Sequence, residues 1–332
     1  MAAVLLALVP ACSSGHQRSQ PGPAGRESDN GSARGSASGR GTPSTSPSPR
    51  GGRDLLPAAS WSCQPGVNGA EFWMINQNEL SVLETVAPTQ VRYAFRHENL
   101  FVLGRPGHIA RVGQAVAVFQ SYAALRKAIA AHRIAPTTHW VLYDNERWPA
   151  TTPNEQRHPW HYEALFAALA HRHGYRVILA PAQDLVFGFG QARLPPGTPT
   201  WRRYLSLRLP ATSARAADIY EIQAQANEVP MSRASGLFGR FVRAAAAQAK
   251  AANPHIAIFA GLSTGRAGSP AQMIHDFLAA RNLVVGYWLN IPHLSRGVSQ
   301  RWARQFLDGL PAGAAAAGRT CARPPPYPLA GG

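Results

Sequence analysis

At 332 residues the chain could hold two ordinary domains or one α/β barrel, and its 45% hydrophobic content excludes disorder throughout. The formal charge is +16; residues 13–53 hold six arginines against Glu27 and Asp29, so +12 falls on the rest. Those cations are scattered arginines, with Lys127 and Lys250 the only lysines, and they form neither a stripe nor a known motif. That argues against a nucleic-acid partner and for loose attraction to anionic envelope polymers or lipids.

Residues 2–9 are an apolar run far short of the roughly 20 residues that span a bilayer, and small residues follow, as in the h-region of a secretory signal. The continuation Val9-Pro10-Ala11-Cys12-Ser13-Ser14-Gly15 resembles a bacterial lipoprotein signal. The resemblance implies lipidation at Cys12 and a place on the outer face of the cytoplasmic membrane; an ordinary secretory signal would also lead to export. With residues 1–12 as signal, the Ser/Gly/Pro-rich residues 13–56 form a disordered linker that cannot bury a core. Residues 57–322 are the folded domain and 323–332 a disordered tail. Cys63 and Cys321 stand near the two ends of that domain, and in an exported protein they are expected to pair. No Cys-x-x-Cys occurs and the histidines lack metal-site spacing, so no metal or other cofactor is expected.

Short β-rich runs then alternate with segments of helical spacing. Strands are predicted at Glu71–Asn76, Ala115–Gln120, Trp140–Asp144, Arg176–Ala180, Asp218–Gln223, Ile256–Ala260 and Leu283–Leu289. Helices are predicted at Ser121–His132, Trp160–His173, Ser232–Ala252, Ala271–Arg281 and Ser299–Leu310. Trp61–Gly113 is less regular, with Tyr93–Val102 either a hairpin or an extra strand. The alternation points to βαβ units, and seven or eight of them closing on themselves give a single (β/α)8 TIM-barrel-like domain. A dinucleotide-binding open sheet lacks its glycine-rich turn here.

Acidic residues are scarce, and several fall at predicted strand ends, where barrels carry their sites. In Val141-Leu142-Tyr143-Asp144-Asn145-Glu146-Arg147-Trp148, strand alternation puts Asp144 and Glu146 on one face. Two carboxyls so close repel, which raises one pKa and supplies an acid at neutral pH; pairing with Arg147 is the structural alternative. On the next polar strand Glu221, Gln223 and Gln225 share a face, while Tyr220 and Ile222 suit packing under helices. Trp288 and Asn290 share a face on the last strand. With Tyr143, Trp148 and Asp184, this set of aromatic, amide and carboxyl groups suits a sugar, whose ring offers an apolar face and a rim of hydroxyls.

An Asp-x-Glu closing an inner strand, a Tyr/Gln-bearing strand after it and a Trp on the last strand resemble the chitinase-type barrels of glycoside hydrolase family 18. The resemblance implies Glu146 as general acid and Asp144 as the carboxylate orienting a substrate acetamido group. It also implies Gln223 or Tyr220 as holder of the acetamido oxygen and Trp288 as floor of the pocket. The family's longer Asp-x-x-Asp-x-Asp-x-Glu run is not present, because His139 and Leu142 stand in its first two places. A rival reading comes from Gly261-Leu262-Ser263-Thr264-Gly265, which matches a serine-hydrolase elbow, with Asp276 and His293 following. The expectation is thus an exported, monomeric, glycosidase-like barrel whose partner is a polysaccharide, with a non-catalytic carbohydrate-binding lipoprotein as alternative and a serine hydrolase behind both.

Overall fold

In the computed structural model, residues 71–188, 195, 197–228, 236–292 and 297–310 are described. Eight short runs of aliphatic and aromatic residues become parallel strands: β1 (Phe72–Asn76), β2 (Leu100–Gly104), β3 (Gln114–Phe119), β4 (Trp140–Tyr143), β5 (Arg176–Leu179), β6 (Ile219–Ile222), β7 (Ala257–Ser263) and β8 (Gly286–Asn290). Each pairs with the next, and β8 closes on β1 through Phe72 opposite Gly286 and Met74 opposite Trp288. The fold is a closed TIM-type barrel with helices outside, as the alternating pattern predicted.

Alternation splits each strand between two cores. One row fills the barrel, where Met74, Phe101, Trp140, Leu142, Ile178 and Phe259 meet. The other packs beneath the helices, where Trp73, Val141, Tyr143, Val177, Tyr220 and Tyr287 join the helix residues Phe166, Phe241 and Phe277. Strands apolar on both faces are what a parallel sheet covered on both sides requires.

Side-chain caps start several helices where the strands hand over to them. Asn76 and Glu79 make a capping box on the helix Gln77–Val86, Ser121 caps Tyr122–Ala130, Thr152 caps Pro153–Arg157 and Ser269 caps Pro270–Ala280. The irregular stretch Tyr93–Val102 resolves into a parallel strand, β2, which lies between β1 and β3. The sequence pattern did not display it because β2 is only five residues long and the turn His97–Asn99 runs straight into it. β7 extends through Ser263, three residues past the expected end. Among the described residues no helix is long and apolar enough to cross a membrane. Cys12, Cys63 and Cys321 lie outside the described residues.

Candidate active site

At the C-terminal ends of the strands the inward rows change from apolar to polar. On β4 the row Trp140, Leu142 is continued by Asp144, just past the strand. On β6 the row Ile219, Glu221 is continued by Gln223, whose amide Nε2 donates to Asp144 Oδ1 at 2.9 Å and to the Ala180 carbonyl at 2.9 Å. Gln183, in the turn after β5, donates in turn to the Gln223 carbonyl at 2.8 Å. The segments after β4, β5 and β6 are thereby tied into one rim.

Glu146 completes this group beside Asp144 and Gln223. Its carboxyl is held well above the usual range, first by burial and then by the charges of Asp144 and Asp184. Asp144 is raised as well, by burial first and then by Glu221, while its bonds to Glu146 and Gln223 pull it down. Asp144 and Glu146 thus titrate as one interacting pair, with both carboxyls held above their ordinary range. Glu221, fully buried one step below Gln223, is raised by burial and by Glu146. Neither of its carboxyl oxygens has a hydrogen-bond partner among the described residues. Asp184 sits at the outer rim in the turn Gln183–Phe187; burial raises it, and the Arg147 N–H, which it accepts at 3.1 Å, lowers it.

Asp144, Glu146, Asp184, Glu221 and Gln223 therefore lie together at this mouth. Trp288 also lies on the inward row, half-buried, with Asn290 two residues on at the same rim, opposite Ser263. Gln225, in the turn after β6, packs on the neighbouring β7, where a Cβ on Gly261 would collide with its amide. Trp148 is half-buried in the segment after β4, and its indole N–H donates to Thr151 at 2.9 Å.

Other expectations are corrected. Tyr143 is not a substrate contact: it faces the helices, stacks on Phe166 at 4.7 Å and donates its hydroxyl to Glu155 at 2.6 Å. Tyr220 faces outward too, with its hydroxyl 2.8 Å from that of Tyr204. Tyr220 therefore cannot hold a substrate acetamido oxygen, and Gln223 has already committed its N–H donors to Asp144 and Ala180. The serine elbow is absent. Ser263 ends a barrel strand, its hydroxyl accepts the Gly265 N–H at 3.1 Å, and the next helix starts only at Pro270. Gly261 and Gly265 are small because Gln225 and Pro292 pack on them; His293 lies outside the described residues.

Sequence reading missed two residues that shape the mouth. One is Gln183. The other is Glu79, whose Oε1 accepts the Ile291 N–H at 2.9 Å and so ties the start of the helix Gln77–Val86 to the segment after β8. The Asn76-x-x-Glu79 capping pattern was the available signal. Burial pushes the Glu79 carboxyl up to about 7, against the two backbone bonds that lower it.

No family model and no curated protein matches this chain. Among solved structures it is similar to a Schiff-base-forming fructose-1,6-bisphosphate aldolase, at 10% identity and a TM-score of 0.40 over 72% of this chain and 94% of that one. An archaeal fructose-1,6-bisphosphate aldolase gives 9% and 0.41, over 72% and 93%. A β-mannanase from the blue mussel Mytilus edulis gives 11% and 0.24, over 79% and 99%. Likenesses this distant carry no argument about activity. The chain's own lysines are not in the barrel: Lys127 is on the helix Tyr122–Ala130, and Lys250 donates to the Pro254 and Ile256 carbonyls before β7.

Proposed function

We propose that the barrel mouth is a glycosidase-like site that protonates and cleaves a glycan, with Glu146 as general acid. The observation that carries this reading is the Asp144–Glu146 pair: two interacting carboxyls at the C-terminal mouth, both raised above the ordinary carboxyl range, by burial first. A buried, protonated carboxyl can deliver its proton to a leaving oxygen at neutral pH, where an ordinary glutamate is already ionised. Asp144, fixed by Gln223, is the neighbouring carboxylate that faces the positive charge developing on the sugar ring. Trp288 supplies an aromatic surface on the opposite wall, and Asn290 a rim amide.

On this reading the protein is exported and anchored through lipidated Cys12, with Cys63 and Cys321 paired and residues 13–56 as tether. Its partner is an envelope or environmental polysaccharide, and it acts as a monomer.

The purified full-length chain should release sugar from at least one member of a panel of chitin, peptidoglycan and plant or microbial polysaccharides. Glu146→Gln should cut that turnover by about 10²- to 10⁴-fold, and Ser263→Ala should leave it in place. Turnover that survives Glu146→Gln overturns the assignment of the acid. Binding without turnover, retained in both variants, would make the mouth a carbohydrate-binding cleft.

A further inference from the structure

We propose that the barrel docks on an anionic lipid surface at the gap between β2 and β3, where Ile109 enters the headgroup layer and Arg105, Arg111, Lys127 and Arg133 hold the phosphates. This is independent of the glycan reading of the mouth. Three observations carry it.

The first is an interruption in the ring of helices. Every other connection between successive strands holds at least one helix, whereas residues 105–113, between β2 and β3, hold none. The helix Tyr122–Ala130 packs against Pro159–Arg172, and it also borders a cavity of about 260 Å³ that Pro106, Phe119, Ala124 and Ala128 help to line. An apolar wall left open where a helix would stand is surface that a partner can cover.

The second is the loop that crosses this gap. The His108 N–H donates to the Arg105 carbonyl at 2.9 Å, Gly107 takes a positive φ of 87°, and the Gly113 N–H donates to His97 Nδ1 at 3.2 Å. His108 turns in onto Gly104, where a Cβ would collide with its ring. Ile109 turns out and is 63% exposed, more than any other large apolar side chain among the described residues. A lone exposed isoleucine is ordinary. This one stands on a tied loop between the exposed Arg105 and Arg111, beside an open apolar cavity. A hydrophilic polyanion would give the isoleucine nothing to bury against, whereas a lipid surface offers phosphates to the cations and acyl chains to the apolar tip.

The third is charge. Residues 88–133 carry six arginines and Lys127 against Glu98 alone, a net +6, which is half of the +12 that lies outside residues 13–53. Lys127 and Arg133 border the same cavity as Pro106, and Gly107 packs on the Arg133 carbonyl, so the fold sets these cations beside the loop. None of the four cations pairs with an acid among the described residues. Each cation brought to an anionic leaflet is worth roughly fivefold in affinity.

The test uses the full-length chain with Cys12→Ser, so that no acyl chain contributes, and phosphatidylcholine vesicles with or without phosphatidylglycerol. The chain should sediment with the anionic vesicles, less so as salt rises, and their addition should slow hydrogen exchange in residues 104–113. Arg105→Gln with Arg111→Gln should weaken binding roughly tenfold or more, and Ile109→Ser about fivefold. Arg172→Gln with Arg301→Gln removes the same charge from the helices Pro159–Arg172 and Gly297–Asp308 and should weaken binding less. Residues 1–53 are common to all variants and set a shared baseline. No binding to anionic vesicles, unchanged exchange of residues 104–113 in the bound chain, or equal weakening by the two double variants overturns the inference. If soluble polyphosphate binds as the vesicles do and Ile109→Ser binds vesicles like the parent, the face takes polyanions and the lipid assignment falls. The substitutions lie outside the mouth, so the Glu146 test stands or fails separately.

Discussion

Two sets of buried acids in this barrel face opposite situations. In the layer between barrel and helices, each acid is given donors: Glu155 accepts the Tyr143 hydroxyl at 2.6 Å and the Tyr122 N–H at 2.9 Å, and Asp218 accepts the Val177 N–H at 2.8 Å and lies 2.9 Å from His171. In the mouth, Asp144, Glu146 and Glu221 face chiefly one another; Gln223 donates to Asp144, and Glu221 has no partner among the described residues. Carboxyls with donors of their own hold elements together, whereas carboxyls gathered without them cost stability and persist where chemistry needs them. The same residue type thus serves the scaffold in one shell and a reaction in the other.

The largest effects should come from exchanging the two roles. Glu146→Gln is expected to remove about 10²- to 10⁴-fold of turnover with the melting temperature nearly unchanged. Glu155→Ala strands a buried phenol and the first N–H of the helix Tyr122–Ala130. It is expected to cost on the order of 3 kcal/mol in denaturant unfolding, with turnover per folded molecule retained. The comparison breaks if Glu155→Ala abolishes activity in folded protein, or if Glu146→Gln unfolds it.

Glu221→Gln sharpens the comparison on the stability side. A carboxyl whose folded pKa is raised contributes stability below its unfolded pKa and loses it as pH rises toward the folded value. Gln does not ionise, so the variant should match the parent near pH 4 and exceed it in alkaline buffer. Equal unfolding curves at both pH values would mean that Glu221 is not held neutral, and would remove the main contrast with Glu155.

These differences explain what was legible in the sequence. The barrel was readable because strands apolar on both faces alternate with helical spacing, and that pattern survives in one dimension. β2 was not, since five residues entering directly from a turn carry too little pattern. Asp144, Glu146, Glu221 and Gln223 were found because alternation along a strand fixes which residues share a face. Tyr143 was misplaced for the complementary reason: it is next to Asp144 in sequence and so points to the other side of the barrel wall. The Gly-x-Ser-x-Gly match misled because its glycines answer to Gln225 and Pro292, contacts made by distant segments. Gln183 gave no local signal either, since its role is a bond to a carbonyl 40 positions away.

Glu163 lies between the two sets and gives the smallest predicted effect. It is buried under the helix Pro159–Arg172, where the Ser213 hydroxyl donates to one oxygen at 2.7 Å and the other has no partner among the described residues. Burial pushes its carboxyl up to about 8, and the Ser213 bond offsets only part of that. In the unfolded chain it titrates in the ordinary carboxyl range, so the stability it lends is complete below that range and is lost as pH rises to about 8. Glu163→Gln keeps an acceptor for Ser213 and has nothing to ionise. Its unfolding free energy should therefore lose less between pH 5 and pH 9 than the parent's, with turnover unaffected. If the variant shows the parent's full pH dependence, the loss belongs to the other buried acids that are raised, Glu79, Glu228 and Asp276 among them, and Glu163 costs nothing on ionising.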